Sequence, residues 1–122
     1  MTDQHLSFKE MCAKFDVTPR TLRYYEYIEL LHPEKEGRAR FYTPREVARM
    51  TLIMRGRRWG FSLEEIRQWL ELYDQEGTAA QMRSMVEKAD TQLVALKEQQ
   101  QQLQQTIDEL QAMRDEVASG LK

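Results

Sequence analysis

The sequence predicts a mainly α-helical protein with a small β hairpin in its first half and one long helix at its C-terminal end. Helix start signals recur, in which a serine or threonine is followed by proline or, three residues on, by glutamate; they predict four short helices. A stretch with period two interrupts these helices and predicts paired strands. A run of apolar residues at heptad spacing then predicts the long helix.

The first two predicted helices are short and lie close together in the chain. Ser7 and Glu10 form a capping box, which starts a helix over about Phe8–Lys14. After a three-residue turn, Thr18 is the N-cap of a second helix, with Pro19 at its first position, where the missing N–H costs nothing. Two short helices joined by such a turn are typical of a helix-turn-helix.

The second predicted helix has an apolar side and a polar side. At 100° per residue, Leu22, Tyr25 and Glu26 lie on one side, and Tyr25 is expected to pack in a core. The opposite side suits DNA, because guanidinium groups match guanine edges or phosphates and tyrosine adds a hydroxyl on a rigid ring. Aromatic packing in a core is the alternative, and it is the less favoured one for Tyr24. The predicted DNA-contacting residues are Thr18, Arg20, Thr21, Arg23, Tyr24 and Tyr27.

The segment "HPEKEGRARFYTPRE" breaks the helical periodicity and predicts a wing. Arg38, Arg40 and Tyr42 occupy alternate positions, and a period of two indicates one face of a strand. A tight two-stranded turn around Glu36 and Gly37 would hold these three side chains on a common side, beside the second helix. They are therefore predicted to contact the DNA backbone. A solvated surface hairpin is the alternative.

Two more helices are predicted to complete the head. Thr43 repeats the N-cap signal, and the helix that follows runs to about Arg58, with Gly56 indicating either close packing or a local weakness. Ser62 and Glu65 form the capping box of the next helix. Its predicted buried stripe comprises Leu63, Ile66, Trp69, Leu70 and Tyr73.

The chain beyond Gly77 is predicted to be one helix, from about Thr78 to Ser119, that forms a coiled coil with a second copy. Apolar residues follow one another in alternating steps of four and three, interrupted by Gln100 and Arg114. Low-complexity disorder is the alternative for "KEQQQQLQQ", but the seam continues through it. The predicted dimerisation residues are Met82, Val86, Ala89, Leu93, Leu96, Gln100, Leu103, Ile107, Leu110 and Val117.

Antiparallel pairing of two such helices is predicted. Pairing centred near Gln100 matches Leu93 with Ile107 of the other copy, and other apolar positions likewise. A parallel pair would instead stack Arg114 on its own copy and bring the acidic ends together. The predicted domains are a head over residues 1–76 and a dimerisation helix over residues 77–122.

Charge is distributed unevenly along the chain. Residues 1–60 carry 12 Lys and Arg against 8 Asp and Glu, whereas residues 61–122 carry 6 against 12. The formal net charge of −2 therefore conceals a basic first half. Such asymmetry is typical of a head that binds a polyanion.

The inventory of residues argues against several classes of protein. One cysteine, Cys12, excludes internal disulfides and multi-cysteine zinc sites, and its place in an apolar stripe favours inert packing. Neither a glycine-rich phosphate loop nor a nucleophile motif occurs, so no enzyme, metal or cofactor is predicted. No stretch resembles a membrane span or a signal peptide, and a soluble cytoplasmic protein is expected.

Three motifs together resemble one family. "RTLRYYE" in the second helix, "RFY" in the wing and "GFSLEEI" at the start of the fourth helix occur in the order and spacing of the MerR-like transcriptional regulators. The resemblance covers about residues 6–74. It is greatest to short members that lack a C-terminal effector domain, including a subgroup linked to catabolism of branched-chain amino acids and acyl-CoA compounds.

The resemblance implies a winged helix-turn-helix head and a homodimer on an inverted-repeat promoter site. It implies that the stalk helices pair antiparallel and that the DNA is distorted so that RNA polymerase can engage it. By position, Arg20, Thr21, Arg23 and Tyr24 resemble the contacts of the recognition helix, as Arg40 and Tyr42 resemble those of the wing. Many relatives read asparagine-glycine-tyrosine-arginine in the wing, where this chain has Gly37–Arg40. An architectural or protein-interaction module without operator specificity is the alternative function.

Overall fold

The computed structural model describes residues 5–74 and 77–121. The chain forms two compact units, one up to residue 78 and one from residue 79, which we call the head and the stalk. The elements in chain order are β1 (Leu6–Ser7), α1 (Phe8–Phe15), α2 (Pro19–Tyr27), β2 (Glu34–Glu36), β3 (Ala39–Tyr42), α3 (Pro44–Trp59), α4 (Leu63–Asp74) and α5 (Ala79–Ser119). The predicted fold class, a helical head with a small β wing and a long C-terminal helix, is confirmed. The predicted boundary at residue 76 stays a prediction.

The helices of the head begin at the capping residues that the sequence predicted. The Ser7 hydroxyl accepts from the Glu10 amide at 3.1 Å, and the Glu10 carboxylate accepts from the Ser7 amide at 3.0 Å. Ser62 and Glu65 form the same reciprocal pair at 3.1 and 2.9 Å. Thr43 accepts from the Glu46 amide at the start of α3. These bonds satisfy backbone donors that the first turn of a helix leaves without partners.

The sheet has three antiparallel strands in the order β1-β3-β2. β2 pairs with β3 as the predicted hairpin, with Glu36 opposite Ala39, so that Gly37 and Arg38 form the turn. β1 pairs with β3 on the other side, through Leu6 opposite Tyr42. The sequence analysis missed β1 because a strand of two residues is too short to show a periodic pattern.

One apolar core holds the head together, built from side chains of every helix of the head, of β3 and of the segment that follows α2. Its fully or almost fully buried members are Met11, Leu22, Tyr25, Leu30, Leu31, Tyr42, Met50, Ile53, Ile66 and Leu70. Leu63 and Trp69 of the predicted α4 stripe are half-buried, and the side chain of Tyr73 lies outside the described residues. Gly56 marks close packing between α3 and α4, since a Cβ built there would lie 2.7 Å from Ile66 Cγ1.

A buried arginine fixes the segment that follows α2. Arg49 of α3 donates to the Leu30 carbonyl oxygen through Nε at 3.2 Å and Nη2 at 3.0 Å, and it pairs with the carboxylate of Asp74. Glu46, one turn earlier in α3, accepts from the His32 amide at 2.6 Å. Buried charges are tolerated when they are paired in this way. The C-terminal side of α2 is thereby anchored to α3 and α4.

The stalk is one helix of 41 residues, α5, and none of its residues is buried. Among the described residues, no helix is long and apolar enough to cross a membrane.

Candidate nucleic-acid interface

The N-terminal end of α2 is fixed by a threonine pair. Thr18 has the extended backbone of an N-cap, with φ −77° and ψ 155°, and its hydroxyl oxygen accepts from the Thr21 amide at 3.1 Å. The Thr18 hydroxyl also donates to the Thr21 hydroxyl oxygen at 3.0 Å. Thr18 therefore serves as the cap, whereas the hydroxyl proton of Thr21 remains able to donate to an acceptor such as a phosphate.

The two sides of α2 are separated as the helical wheel predicted. Leu22 is 0% exposed and Tyr25 7% exposed, so the core position of Tyr25 is confirmed. On the other side, Tyr24 is 49% and Tyr27 84% exposed, and Arg20 and Arg23 are also exposed. Two tyrosines and two arginines thus share the solvent side of one short helix.

The exposed arginines of α2 and of the hairpin turn are not neutralised by an acid in the described ranges. Within the described ranges, neither Arg20 nor Arg23 of α2, nor Arg38 of the hairpin, has a carboxylate within ion-pair distance. Arg45 of α3 and Arg67 of α4 differ, since Arg45 pairs with Asp74 at 3.2 Å and Arg67 with Glu64 at 3.4 Å. An arginine without a carboxylate partner can form charge-assisted hydrogen bonds with a phosphate or a guanine edge without first losing a bond.

The wing presents Arg38 at its tip. Gly37 takes φ +60°, a left-handed conformation that glycine adopts at little cost and that the first position of a tight hairpin turn requires. Arg38 follows it in the turn and is exposed. It therefore lies beyond the strand that was predicted to carry it together with Arg40 and Tyr42.

The other two predicted wing contacts face the protein. Tyr42 is 0% exposed, and its hydroxyl donates to the Glu26 carboxylate of α2. Burial and this hydrogen bond raise the pKa of the Tyr42 phenol. Arg40 pairs with the other Glu26 oxygen at 2.7 Å, while its side chain remains 32% exposed. The prediction that Tyr42 contacts the DNA backbone is therefore wrong, since the ring lies in the core, and Arg40 is partly neutralised.

A cleft lies between the start of α1, α2 and the wing. Its volume is about 480 Å³, and it is lined by Ser7, Phe8, Lys9, Arg23, Arg38, Ala39, Arg40 and Phe41. Four of these eight residues are cationic. The guanidinium carbons of Arg23 and Arg40 lie 5.3 and 5.8 Å from the centre of the Phe8 ring, within cation–π distance.

Sequence reasoning missed Lys9 and Phe8 as lining residues of this cleft, and it missed Glu26 as the acid that pairs with Arg40. The sequence did contain a signal for Glu26, because the helical periodicity placed it on the apolar side of α2 with Leu22 and Tyr25. An acid on a buried side requires a buried partner, so a pairing of Glu26 with a cation or a hydroxyl could have been predicted. No comparable signal existed for Phe8. Its contacts with Arg23 and Arg40 join residues that are 15 and 32 positions away in the chain.

Cys12 is half-buried in α1, and burial raises the pKa of its thiol. A thiol with a raised pKa is a poor nucleophile and a poor metal ligand at neutral pH. Among the described residues, no group of three or more His, Cys, Asp or Glu side chains is arranged to hold a metal ion.

The predicted seam of the stalk is exposed along α5. Leu93 is 49%, Leu103 62% and Val117 60% exposed, and the other predicted dimerisation residues are exposed as well. A large exposed apolar stripe on a helix is typical of a surface that binds another helix.

A capped recognition helix with an outward cationic side, packed beside a two-stranded wing, defines a winged helix-turn-helix protein. Comparison with known proteins identifies the family of winged helix-turn-helix proteins to which it belongs. The family model described as "MerR HTH family regulatory protein" matches residues 6–73, and that described as "MerR, DNA binding" matches residues 47–113. The chain belongs to the MerR family of helix-turn-helix transcriptional regulators.

Individual relatives are transcriptional regulators rather than enzymes. The chain is 31% identical over 107 residues to the HTH-type transcriptional regulator HmrR of Rhizobium leguminosarum bv. viciae, covering 86% of this chain and 83% of that protein. It is 32% identical over 107 residues to ZntR of Escherichia coli, covering 81% of this chain and 76% of that one.

Solved structures of similar fold belong to the same family. A MerR family transcriptional regulator from Bacillus cereus superposes with a TM-score of 0.62 at 30% identity, over 86% of this chain and 78% of that one. HiNmlR, a MerR family regulator lacking the sensor domain and bound to promoter DNA, superposes with a TM-score of 0.68 over 85% of this chain and 79% of that one. The identity to HiNmlR is 20%, so this likeness concerns the fold alone.

Proposed function

We propose that the protein is a homodimeric transcriptional regulator that binds an inverted repeat in a promoter in a sequence-specific manner. The observation that carries the proposal is the solvent side of α2, where Arg20, Arg23 and Tyr24 are exposed and the two arginines have no carboxylate partner in the described ranges. A helix of this kind fits the major groove, where an arginine can donate two hydrogen bonds to one guanine.

The wing supplies the contact that positions the recognition helix. Arg38 lies at the tip of the hairpin and lines the same cleft as Arg23. Phosphate contacts from such a site fix the register of a protein on the duplex without reading sequence. Arg40 contributes less than Arg38 to phosphate binding, because Glu26 already accepts one of its hydrogen bonds at 2.7 Å.

Dimerisation through α5 provides the two-fold symmetry that an inverted repeat requires. The helix of 41 residues is about 60 Å long at about 1.5 Å per residue, and its exposed apolar seam would be covered by a second copy. Two linked heads also gain avidity, since the second half-site is bound at a high effective concentration.

Distortion of the promoter follows if the two heads do not match the spacing of the half-sites on straight DNA. Bending a site by 40–90° costs on the order of 1–6 kcal/mol, which the contacts of two heads can offset. Distorted promoter DNA would in turn change how RNA polymerase engages the two promoter elements.

The proposal is tested by footprinting the full-length protein on the DNA upstream of its own coding sequence. We expect a two-fold symmetric protected site. Arg20→Ala should relax the preference at particular base pairs by about 1–3 kcal/mol. Arg38→Ala should weaken binding to all sequences alike and reduce the salt slope by about one. Lys97→Ala, which removes one positive charge from the stalk, is the matched control and should change neither.

Each outcome bears on a different part of the proposal. A symmetric site inside a promoter spacer, with anomalous gel mobility of the bound DNA, supports regulation by distortion, whereas a site over the start point favours simple repression. Weak binding without sequence preference, unchanged by Arg20→Ala, would instead support the architectural alternative.

A further inference from the structure

Phe8 occupies a position that neither the family motifs nor the proposed contacts account for. It is the first residue of α1, directly after the Ser7 cap, and one part of its half-buried ring packs against the head core. Another part lines the cleft, where the guanidinium groups of Arg23 and Arg40 lie over the ring at 5.3 and 5.8 Å. One aromatic ring therefore contacts the recognition helix and the wing at the same time.

The two arginines depend on Phe8 to different degrees. Glu26 already orients Arg40 through an ion pair at 2.7 Å. Arg23 has no carboxylate partner within the described ranges, and the Phe8 ring is the contact that orients its guanidinium group. A free arginine side chain loses rotamer freedom when it binds a ligand, and a side chain that is held beforehand loses less.

The remaining residues of the cleft indicate what the oriented group would bind. Lys9 and Arg38 add two more cations on its walls, and none of its eight lining residues is an acid. Glu26 lies behind Arg40, where its side chain is 11% exposed. Such a cleft favours an anion, and its place between the recognition helix and the wing fits the phosphate backbone that runs beside a major groove.

We propose that Phe8 is a positioning residue, which stacks against Arg23 and holds its guanidinium group beside Arg40 so that the cleft receives a phosphate of the DNA backbone. This inference rests on the proposed DNA-binding function. It assigns Arg23 a contact with the phosphate that enters this cleft, and it assigns Phe8 a role in affinity rather than in packing alone.

The stack is tested first in the free protein by NMR of the Arg23 side chain. A guanidinium group over a ring experiences a ring-current shift, so the Arg23 Nε–H and Cδ–H signals should be displaced in the wild type. Phe8→Leu should return them to ordinary values, and Phe8→Tyr should keep them displaced. Undisplaced Arg23 signals in the wild type would overturn the proposal without any variant.

DNA affinity then tests the role. Phe8→Leu should weaken binding to the operator about three- to tenfold, since leucine cannot provide the aromatic stack. Phe8→Tyr keeps an aromatic ring and should bind the operator as tightly as the wild type. Arg23→Ala combined with Phe8→Leu should be no weaker than Arg23→Ala alone, because both changes remove one contact. Phe15→Leu is the matched control: it is also a half-buried phenylalanine of α1 that packs against the core, but it does not line the cleft.

The outcomes separate this inference from the function on which it rests. If neither Arg20→Ala nor Arg23→Ala changes DNA binding, the proposed DNA contact of α2 is wrong. If Arg20→Ala weakens binding but Arg23→Ala does not, the phosphate contact of Arg23 is wrong. If Arg23→Ala weakens binding but Phe8→Leu does not, or if Phe15→Leu weakens it equally, only the role of Phe8 is wrong. If Phe8→Leu does not fold, Phe8→Met provides an unbranched apolar replacement for the same comparison.

Discussion

Glu26 lies on the buried side of α2, where its carboxylate accepts hydrogen bonds from Arg40 and from the Tyr42 hydroxyl. Both donors come from β3, so one acid joins the recognition helix to the wing. The arrangement explains why the strand pattern was misleading. Period two correctly placed Arg40 and Tyr42 on one side of a strand, but an acid on α2 attracts that side toward the protein instead of toward DNA.

The buried phenol of Tyr42 leads to a prediction for alkaline pH. Its pKa is raised in the folded protein, whereas an unfolded tyrosine ionises near pH 10, so folding disfavours the phenolate. The contribution is fully present below pH 10 and is lost as the pH rises further, because the unfolded state then releases the proton. We expect the unfolding free energy of wild type relative to Tyr42→Phe to fall by about 1.4 kcal/mol per pH unit above pH 10.

Urea unfolding of both proteins between pH 8 and about pH 11 measures this difference, and groups that titrate in both proteins cancel from it. Tyr27→Phe is the control for the loss of a phenol hydroxyl outside the core, because Tyr27 is 84% exposed. A slope that is the same for wild type and Tyr42→Phe would contradict the prediction.

Glu29 adopts a conformation that suits glycine better. It follows α2 with φ +64°, where a side chain with a Cβ is strained by roughly 1 kcal/mol. The turn is needed because the amides of Leu30 and Leu31 both donate to the Tyr25 carbonyl oxygen. Glu29→Gly should therefore stabilise the head by up to about 0.5 kcal/mol, because the greater freedom of glycine in the unfolded chain offsets part of the strain that is relieved.

Urea unfolding of Glu29→Gly checks this prediction, with Glu29→Ala as the control that removes the charge but keeps the strain. Asp16→Gly is a second comparison at φ +52°, and it should gain less, because aspartate tolerates this region better than glutamate. Equal stabilisation by Glu29→Ala and Glu29→Gly would mean that charge, and not backbone strain, is responsible.

At the scale of elements, the contacts between α3 and α4 resolve the two interpretations of Gly56. A Cβ at this position would lie 2.7 Å from Ile66 Cγ1 and 2.9 Å from Cδ1. Alanine is favoured over glycine inside a helix by about 1 kcal/mol, but overpacking a core costs about 1–3 kcal/mol. We expect Gly56→Ala to destabilise the head by about 1 kcal/mol.

The double variant Gly56→Ala with Ile66→Ala distinguishes a clash from a loss of helix flexibility. Truncating Ile66 removes both Cγ1 and Cδ1, the atoms that would lie 2.7 and 2.9 Å away, so the two changes together should cost less than their sum in thermal unfolding. Additive costs would show that the close approach of α3 and α4 does not set the requirement for glycine.

Locally determined features of the head were predictable, and those that depend on distant residues were not. The caps at Ser7, Thr18, Thr43 and Ser62 act within three residues, so the sequence predicted where each helix starts. β1 exists because it pairs with β3, more than 30 residues away. The exposed side of α2 was predicted from helical periodicity, but the burial of Tyr42 depends on Glu26, 16 residues earlier.

At the scale of the whole molecule, the head and the stalk are separate compact units, which predicts that the head can fold alone. A fragment should end at Thr78 and not at Tyr73, because Asp74 pairs with Arg45 at 3.2 Å and with Arg49. We expect residues 1–78 to unfold cooperatively but to bind the operator at least about 100-fold more weakly than the full chain, since a single head lacks avidity. Circular dichroism and titration of operator DNA measure both properties, and equal affinity of fragment and full chain would contradict the role of the stalk.

The orientation of the paired stalks is the last prediction. Antiparallel pairing brings Leu93 of one copy opposite Ile107 of the other, whereas parallel pairing places Leu93 opposite itself and stacks Arg114 on its own copy, which like-charge repulsion disfavours. Both apolar side chains are about half exposed on α5 and accessible to a partner helix. Cysteines bridge only when their Cα atoms lie within about 7 Å, so oxidation distinguishes the two arrangements.

The experiment uses Cys12→Ser as the background, so that no native thiol contributes. Leu93→Cys alone should form few covalent dimers on oxidation, whereas Leu93→Cys combined with Ile107→Cys should form them efficiently, because each new cysteine then faces its counterpart. Ile107→Cys alone is the matched control and should behave like Leu93→Cys alone. Efficient cross-linking of either single variant, without a further gain in the double variant, would mean that the helices run parallel, and the two heads would then lie at the same end of the stalk.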